Sequence, residues 1–419
     1  MSDPELKQAT FVNDGYADER PILARAGKRV GLGTRLMLYM LRGMRVGSFD
    51  VVLPNGSTQH FRGDEPGPHG VLLIRSTRLL GYVLRGGEVG FGDAYIDGLW
   101  DSPDLAALLA VLYRNEPHYK GPYEKNLLGR FIGWIKHRLR DNTKTTARKN
   151  IAHHYDLGND FYRLWLDETL AYSSAVFRHA PNETLADAQR NKFREMAERL
   201  HLKPEHHLLE IGSGWGGFAI YAAQTYGCRV TSITLSAEQL AEAQQRAEAA
   251  GVADRVTFAL RDYRDVHETY DRIVSIEMYE AVGEAWWPTY FDAIRRALKP
   301  GGVAAVQGIT ISPTIFEQYR RKRDFIQKYI FPGGMLCPPG HFQDLAIAAG
   351  LRPENARFFG IDYADTLAIW HRNVMAVRDA VVEQFDERFL RMWRYYLAYC
   401  ECGFRVGSID LMQITLHRS

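Results

Sequence analysis

Between residues 205 and 308, short apolar runs alternate with segments of helical spacing, and this alternation limits the possible folds more than any other feature of the chain. Residues 207–211 read as a strand, 217–226 as a helix, 229–234 as a strand and 237–250 as a helix. Further strands are predicted at 256–260, 272–276 and 303–308. Strands joined by helical crossovers run parallel, and a parallel sheet is covered on both faces. The predicted class is α/β: a doubly wound, mostly parallel sheet.

The first of these strands leads into Glu210-Ile211-Gly212-Ser213-Gly214-Trp215-Gly216-Gly217. Glycines there let backbone amides approach a ligand at the carboxyl end of a strand, beside a helix N-terminus. Many nucleotide-binding folds carry such a loop, and a phosphate-binding dinucleotide site is the first competitor. The spacing Gly212-x-Gly214-x-Gly216 is tighter than the dinucleotide fingerprint, and Glu210 ends the strand. That form suits the amino-acid part of S-adenosylmethionine, which has no phosphate. The next strand end supplies Thr234, Leu235 and Gln239 where dinucleotide folds usually place a ribose-binding acid. Thr234 and Gln239 can hydrogen-bond a ribose as well. At the third, Asp262 can accept from an adenine amine and Tyr263 can cover the ring. Each residue alone reads equally as a cap or a solvated loop, but together they outline a cofactor site.

Other function classes recede on composition. Lys and Arg number 52 against 50 Asp and Glu, a net charge of +2, so overall charge gives no nucleic-acid binder. Cys228, Cys337, Cys400 and Cys402 have no zinc-site spacing and read as free thiols in a reducing compartment. No apolar run reaches the roughly 18 residues of a membrane span, and residues 1–28 lack the apolar core of a signal peptide. A cytoplasmic protein is expected, with membrane contact left to local features.

At 419 residues the chain has room for two or three domains. Residues 1–19 read as a flexible tail and 20–126 as a small N-terminal α+β domain. Within the latter, 49–61 suggests two strands around a Pro54-Asn55-Gly56 turn, 71–76 a strand and 105–113 a helix. Residues 127–150 form a basic helical linker mixing Lys136, Arg138, Arg140, Lys144, Arg148 and Lys149 with Leu128, Phe131, Trp134 and Ile135. That mixture suits an interfacial helix and, equally, a connector with a solvated basic face. Residues 151–419 complete the chain.

The glycine loop and Val230-Thr231-Ser232-Ile233-Thr234-Leu235-Ser236 do not stand alone. Upstream lie His154-Tyr155-Asp156-Leu157-Gly158-Asn159-Asp160-Phe161-Tyr162 and Tyr172-Ser173-Ser174-Ala175. Downstream lie Met278-Tyr279-Glu280-Ala281-Val282-Gly283, Tyr329-Ile330-Phe331-Pro332-Gly333-Gly334 and Asp362-Tyr363-Ala364-Asp365-Thr366-Leu367. In this order the motifs resemble cyclopropane fatty acid synthases, strongly over 150–419 and more weakly through Gly87–Tyr95. The resemblance implies that 151–419 is an S-adenosylmethionine-dependent methyltransferase domain with a lipid tunnel. It implies as substrate a cis double bond in an unsaturated membrane phospholipid, and peripheral attachment to the inner face of the membrane. It implies Tyr172 and Ser173 over the methionine end of the cofactor. It also implies a bicarbonate held by Ser174, Glu280, Gln307, the Ile309 amide and Tyr363. Ser174 stands where many members have cysteine and Gln307 where many have histidine; either can hydrogen-bond an oxyanion. A homodimer is compatible with this reading.

The chemistry follows from the reactants. A sulfonium methyl is a strong electrophile and an isolated alkene a poor nucleophile, so the protein must align the two and exclude water. Attack leaves a carbocation, and a base must then take a proton. Loss from the new methyl closes a cyclopropane, and loss from a neighbouring chain carbon leaves an alkene; methyl addition without closure, giving a methylene- or methyl-branched chain, is the competing outcome. Tyr279, Trp286, Tyr319, Phe331 and Trp370 are candidates for stabilising the cation, with core packing as their ordinary role. Residues 385–404, rich in aromatics and arginines, read as a tunnel lining that meets a headgroup or as an amphipathic core helix. A non-enzymatic lipid-transfer protein is the remaining competitor.

Overall fold

The computed structural model describes residues 38–39, 41–118, 157–180 and 182–419, which form two compact units. The predicted tail 1–19, the basic segment 127–150 and the motif residues 154–156 lie outside the described residues.

The first unit joins the described residues before 119 with Val374–Val406. Its sheet has the order β2-β1-β3-β4, from β1 (Val46–Val52), β2 (Thr58–Arg62), β3 (Glu65–Ile74) and β4 (Trp100–Asp101). β1 and β2 form the predicted hairpin, antiparallel, with Gly56 at a left-handed φ of 83° in its turn. Phe49 and Val51 alternate inward along β1, as a sheet with one buried face requires. The helix Leu105–Asn115 packs on this sheet, its first turn capped by Asp104, which accepts from the Ala107 amide at 2.8 Å.

Chain order assigns residues 374–406 to the C-terminal domain, but they pack with the N-terminal unit. The physical reason lies in two arginines of the helix Glu387–Arg405. Arg391 and Arg394 share the buried carboxylate of Asp101 at 3.0 and 3.2 Å, and donate also to the Tyr95, Trp100 and Ser102 carbonyls. Buried charges persist only when paired and hydrogen-bonded in this way. Arg405 is buried against Glu401, and Arg388 pairs with Asp97. Arg391, Arg394 and Arg405 are therefore buried structural groups, whereas the Arg388 side chain stays exposed.

The second unit carries β5 (His207–Ile211), β6 (Arg229–Thr234), β7 (Val256–Leu260), β8 (Tyr270–Ile276), β9 (Leu298–Ile311), β10 (Leu351–Phe358) and β11 (Ile409–Arg418). Their order is β7-β6-β5-β8-β9-β11-β10, parallel except that β11 runs antiparallel to both neighbours. This is the predicted doubly wound sheet, closed at one side by an antiparallel pair that the sequence reading did not include. Successive residues feed opposite faces. Leu208 packs with Met196, Phe218 and Ala222, whereas Leu209 packs with Tyr290, Phe291 and Ile294. Truncating either leucine to alanine should cost about 2–5 kcal/mol.

This topology sets the site. The chain builds outward from β5 through β6 and β7, then returns to build β8 and β9 on the other side. At that switch point the carboxyl ends of β5 and β8 diverge into a crevice where ligands of such sheets bind. Among the described residues, no helix is long and apolar enough to cross a membrane.

Candidate active site

The glycine loop sits where the topology opens. Gly212, Gly214 and Gly216 have φ of 95°, 48° and 83°, left-handed values that other residues rarely adopt. The Gly212 and Ser213 amides donate to the Ile233 carbonyl, which folds the loop over the end of β6. A Cβ on Gly216 would lie 2.9 Å from the Phe258 ring and one on Gly212 would lie 3.3 Å from Met278, whereas Gly214 has open space beside it. The loop is thus packed on one flank and open to a ligand on the other.

Around it stand most of the predicted cofactor residues. Thr234 donates to Gln239 Oε1 at 3.0 Å, a pair placed at the end of β6 by the Ser236 cap of the helix Ala237–Ala249. Leu235 follows them, partly buried. Tyr263 stands edge-on to Tyr290, with its ring partly accessible. Two positions differ from expectation. The Asp262 carboxylate is clamped by Arg264, whose Nε and Nη2 donate at 2.8 and 2.6 Å, so its acceptors are already largely engaged. Glu210 is 3% exposed and accepts from Ser232 on the neighbouring strand. Burial raises its carboxyl to about 8, against the Ser232 bond and the charge of Lys192. It braces the sheet beneath the loop. The open Gly214 flank and the polar ends of β6 and β7 fit S-adenosylmethionine.

An aromatic cluster lies next to the loop. Tyr172 packs against Tyr162, Trp165 and Trp370 with centroids 5.3–5.6 Å apart, and Tyr162 contacts Trp215 of the loop. Trp370 in turn meets Tyr363 edge-on. Among the cation candidates, Tyr279 belongs to the core with Trp287, Tyr290, Phe291 and Phe342. Trp286 lies beneath the Arg264 guanidinium. Trp370 keeps a place in the cluster that leads to the carboxylates described next.

Of the five residues expected to hold bicarbonate, Ser174, Gln307 and Tyr363 are brought together around a side chain, while Ile309 and Glu280 bond to each other. Glu277, at the end of β8, accepts from the Ser174 amide at 2.9 Å, from Gln307 Nε2 at 2.8 Å and from the Tyr363 hydroxyl at 2.6 Å. Gln307 is fixed from its other side by Gln413 Nε2 at 2.8 Å, and the Ser174 hydroxyl donates to the Ala175 carbonyl. The Ile309 amide donates to Glu280 Oε1. A bicarbonate on the Ser174, Gln307 and Tyr363 donors would have to displace the Glu277 carboxylate that already occupies them. The expected ligand set therefore does not fit bicarbonate here.

The two glutamates differ in their surroundings. Burial raises both, Glu280 to about 8, and the nearby charge of Glu277 raises Glu280 further. Glu277 is helped toward ionisation by the Tyr363 hydrogen bond, the charge of Lys192 and the Gln307 bond. Glu280 Oε2 is buried without a hydrogen-bond partner among the described residues. Such a pair favours one ionised and one neutral carboxyl.

Ser173 is buried and its hydroxyl accepts from Lys192 Nζ at 2.6 Å. Lys192 and Glu277 were missed in the sequence reading, although each left a signal. Glu277 is an acid at a strand's carboxyl end, as Glu210 is. Lys192 falls on the stripe Ala188, Gln189, Phe193, Met196 and Ala197 that the helix Leu185–Arg199 buries. All four cysteines are free, as predicted.

The chain is similar to several known proteins. The profile of the family described as mycolic acid cyclopropane synthetase matches residues 142–414. A tuberculostearic acid methyltransferase of Mycobacterium tuberculosis is 40% identical over 369 residues, covering 84% of this chain and 84% of its own. The cyclopropane-fatty-acyl-phospholipid synthase of Escherichia coli is 36% identical over 340 residues, covering 80% and 85%. The crystal structure of a mycolic acid cyclopropane synthase complexed with S-adenosylhomocysteine and CTAB superposes with a TM-score of 0.61 at 31% identity, covering 65% of this chain and 98% of that one.

Proposed function

The chain belongs to the mycolic acid cyclopropane synthetase family of S-adenosylmethionine-dependent methyltransferases, and on that premise we propose that it alkylates the cis double bond of an unsaturated phospholipid acyl chain to form a cyclopropane. The observation that carries this reading is the pair Glu277 and Glu280, set at the switch point beside the glycine loop. Bound S-adenosylmethionine would supply an electrophilic sulfonium methyl, which the π pair attacks to leave S-adenosylhomocysteine and a carbocation on the chain. The protein's tasks are to hold the double bond in line, to exclude water and to accept a proton. The cluster of Tyr162, Trp165, Tyr172 and Trp370 offers apolar walls and π faces for the first two tasks. Glu280 adds a buried carboxyl oxygen with no hydrogen-bond partner among the described residues.

A second product is favoured by a specific observation. Glu277 sits among the groups expected to bind bicarbonate, and the relative at 40% identity is named for tuberculostearic acid. If a hydride shifts along the chain before the proton leaves the new methyl, the product is a methylene branch. Peripheral membrane attachment supports either outcome, because the basic residues of 127–150 would each contribute about 1 kcal/mol at an anionic surface.

Incubation with methyl-labelled cofactor and vesicles of unsaturated phospholipid should place label in the lipid fraction. Label confined to the aqueous phase, while cofactor still binds, would favour a lipid-transfer role. Proton NMR of the extracted lipid distinguishes the products, since cyclopropane methylene protons resonate far upfield of other acyl protons.

A further inference from the structure

We propose that the carboxylate of Glu277 is the proton acceptor of the reaction, resident in the position where the family resemblance expects a bicarbonate. This rests on the reading of the chain as a methyltransferase of acyl double bonds.

The argument is geometric. A carbonate-type base needs convergent donors on its oxygens, a fixed orientation and a free lone pair toward the substrate. Glu277 has the first two. Its Oε1 accepts from the Ser174 amide and Gln307 Nε2, and its Oε2 accepts from Tyr363. The donors come from three separate stretches of chain: Gln307 is held by Gln413, and the helix Gly360–Ala376 carries Tyr363 and also fixes the segment of Ser174, through the Ala175 amide bonding to Thr366. Among the described residues Oε2 accepts one hydrogen bond, from Tyr363, and a carboxylate oxygen has two lone pairs.

The backbone points the same way. Glu277 has φ of 51°, a left-handed value that is strained for a residue with a Cβ and that clusters at functional sites. Its amide is tied to the Gln307 carbonyl at 2.8 Å, which holds the strained turn at the end of β8. Without that turn the side chain would follow the strand and leave the cluster. Lys192, Coulombically coupled to Glu277, favours its ionised form.

The step balances. Once the acyl chain carries the new methyl and a cation on the adjacent carbon, Glu277 takes one proton from that methyl. The freed C–H electron pair closes the C–C bond to the cation, giving a cyclopropane. After a 1,2-hydride shift has moved the cation to the methyl-bearing carbon, the same pair instead forms the C=CH2 bond of a methylene branch. In either case Glu277 becomes a neutral acid and the lipid loses its charge. No oxidant or further reactant is required.

The test compares methylated-lipid formation in carbon dioxide-free buffer and after adding back bicarbonate. Wild-type turnover should be the same in both. Glu277→Gln should bind cofactor normally by calorimetry and lose roughly 10²–10⁴-fold in turnover. Glu277→Gly, which suits the positive φ and vacates the donors, should gain activity on adding bicarbonate. A wild-type enzyme whose turnover collapses without bicarbonate would overturn the proposal, as would near-normal bicarbonate-free turnover in Glu277→Gln. The wild-type comparison decides the matter even where a variant fails to fold. Absence of methylated lipid from the wild type under every condition would instead refute the parent reading of the function.

Discussion

The ammonium of Lys192 donates to the hydroxyl of Ser173 at 2.6 Å, and both side chains are buried. Lys192 also donates to Gln189 Oε1 at 2.6 Å, and Gln189 in turn donates to the Ser173 carbonyl. One cation thus ties the helix Leu185–Arg199 to the segment Tyr172-Ser173-Ser174, within reach of the charges of Glu277, Asp167 and Glu210. Burial lowers its own value to about 8. The same residue positions the segment expected to cover the cofactor and biases the carboxylates toward ionisation.

Lys192→Met should therefore act twice. Removing one partner from a buried charged group costs about 3–5 kcal/mol, which denaturant unfolding would read. In the variant that still folds, Glu277 and Glu210 lose a cation that lowers them, so the acidic limb of the pH–rate profile should move to higher pH. An acidic limb that stays in place would remove Lys192 from this role.

Stability should depend on pH in a predictable sense. Burial raises Glu280 and Glu210 from the usual 4.5 to about 8. Between those limits the folded chain binds more protons than the unfolded one, so their contribution is full below pH 4.5 and is lost as pH rises through about 8. Each group adds a slope of up to about 1.4 kcal/mol per pH unit. Lys192, lowered from 10.5 to about 8, acts in the opposite sense above that range. Melting temperatures from pH 5 to 8 should fall less steeply for Glu280→Gln than for the wild type. Parallel curves would contradict the raised value of Glu280.

Glu280→Gln also bears on the reaction. It should reduce turnover while leaving cofactor affinity nearly unchanged, since Glu280 bonds to the Ile309 amide and not to the glycine loop. Unaltered turnover would exclude Glu280 from the reacting space.

Gly212→Val places a branched side chain at φ 95° and 3.3 Å from Met278. Calorimetry should show cofactor affinity reduced by tenfold or more, equivalent to about 1.4 kcal/mol. Gly214→Ala tests the open flank, where the expected penalty is the left-handed backbone alone, about 1–2 kcal/mol. Wild-type affinity in Gly212→Val would count against the loop as the cofactor site.

Asp101→Asn addresses the first unit. Arg391, Arg394 and Asp101 are all buried, and the change removes the carboxylate charge that three guanidinium groups, those of Arg75, Arg391 and Arg394, share. Unfolding should become easier by about 3–5 kcal/mol. A loss below about 0.5 kcal/mol would show that the carbonyl partners of the arginines suffice.

Much of the sheet could be read directly, because β5, β6 and β7 are runs whose boundaries follow from local apolarity and flanking glycines. β10 and β11 were not seen. β10 contains Pro353, Glu354 and Asn355 and is mostly exposed, and β11 follows a long helix, so neither carries a crossover pattern. The glycine loop, Thr234, Gln239, Tyr172, Ser174, Gln307 and Tyr363 were legible from local motif and family resemblance. Their convergence on Glu277 was not. A hydrogen bond such as Tyr363 to Glu277, spanning 86 residues, leaves no periodicity in the chain.

The sequence by itself determined the strands of the crossover region, their parallel run and the chemical types at their ends, because each depends on neighbours a few residues apart. Tertiary structure alone decided which donors face which acceptor. It gave the arginines of Glu387–Arg405 to Asp101, and it set Glu277 among the groups that would otherwise hold a small anion. Burial makes those choices binding, since a charge or donor removed from water must find its partner across the fold, and the partner's distance along the chain does not matter to that requirement.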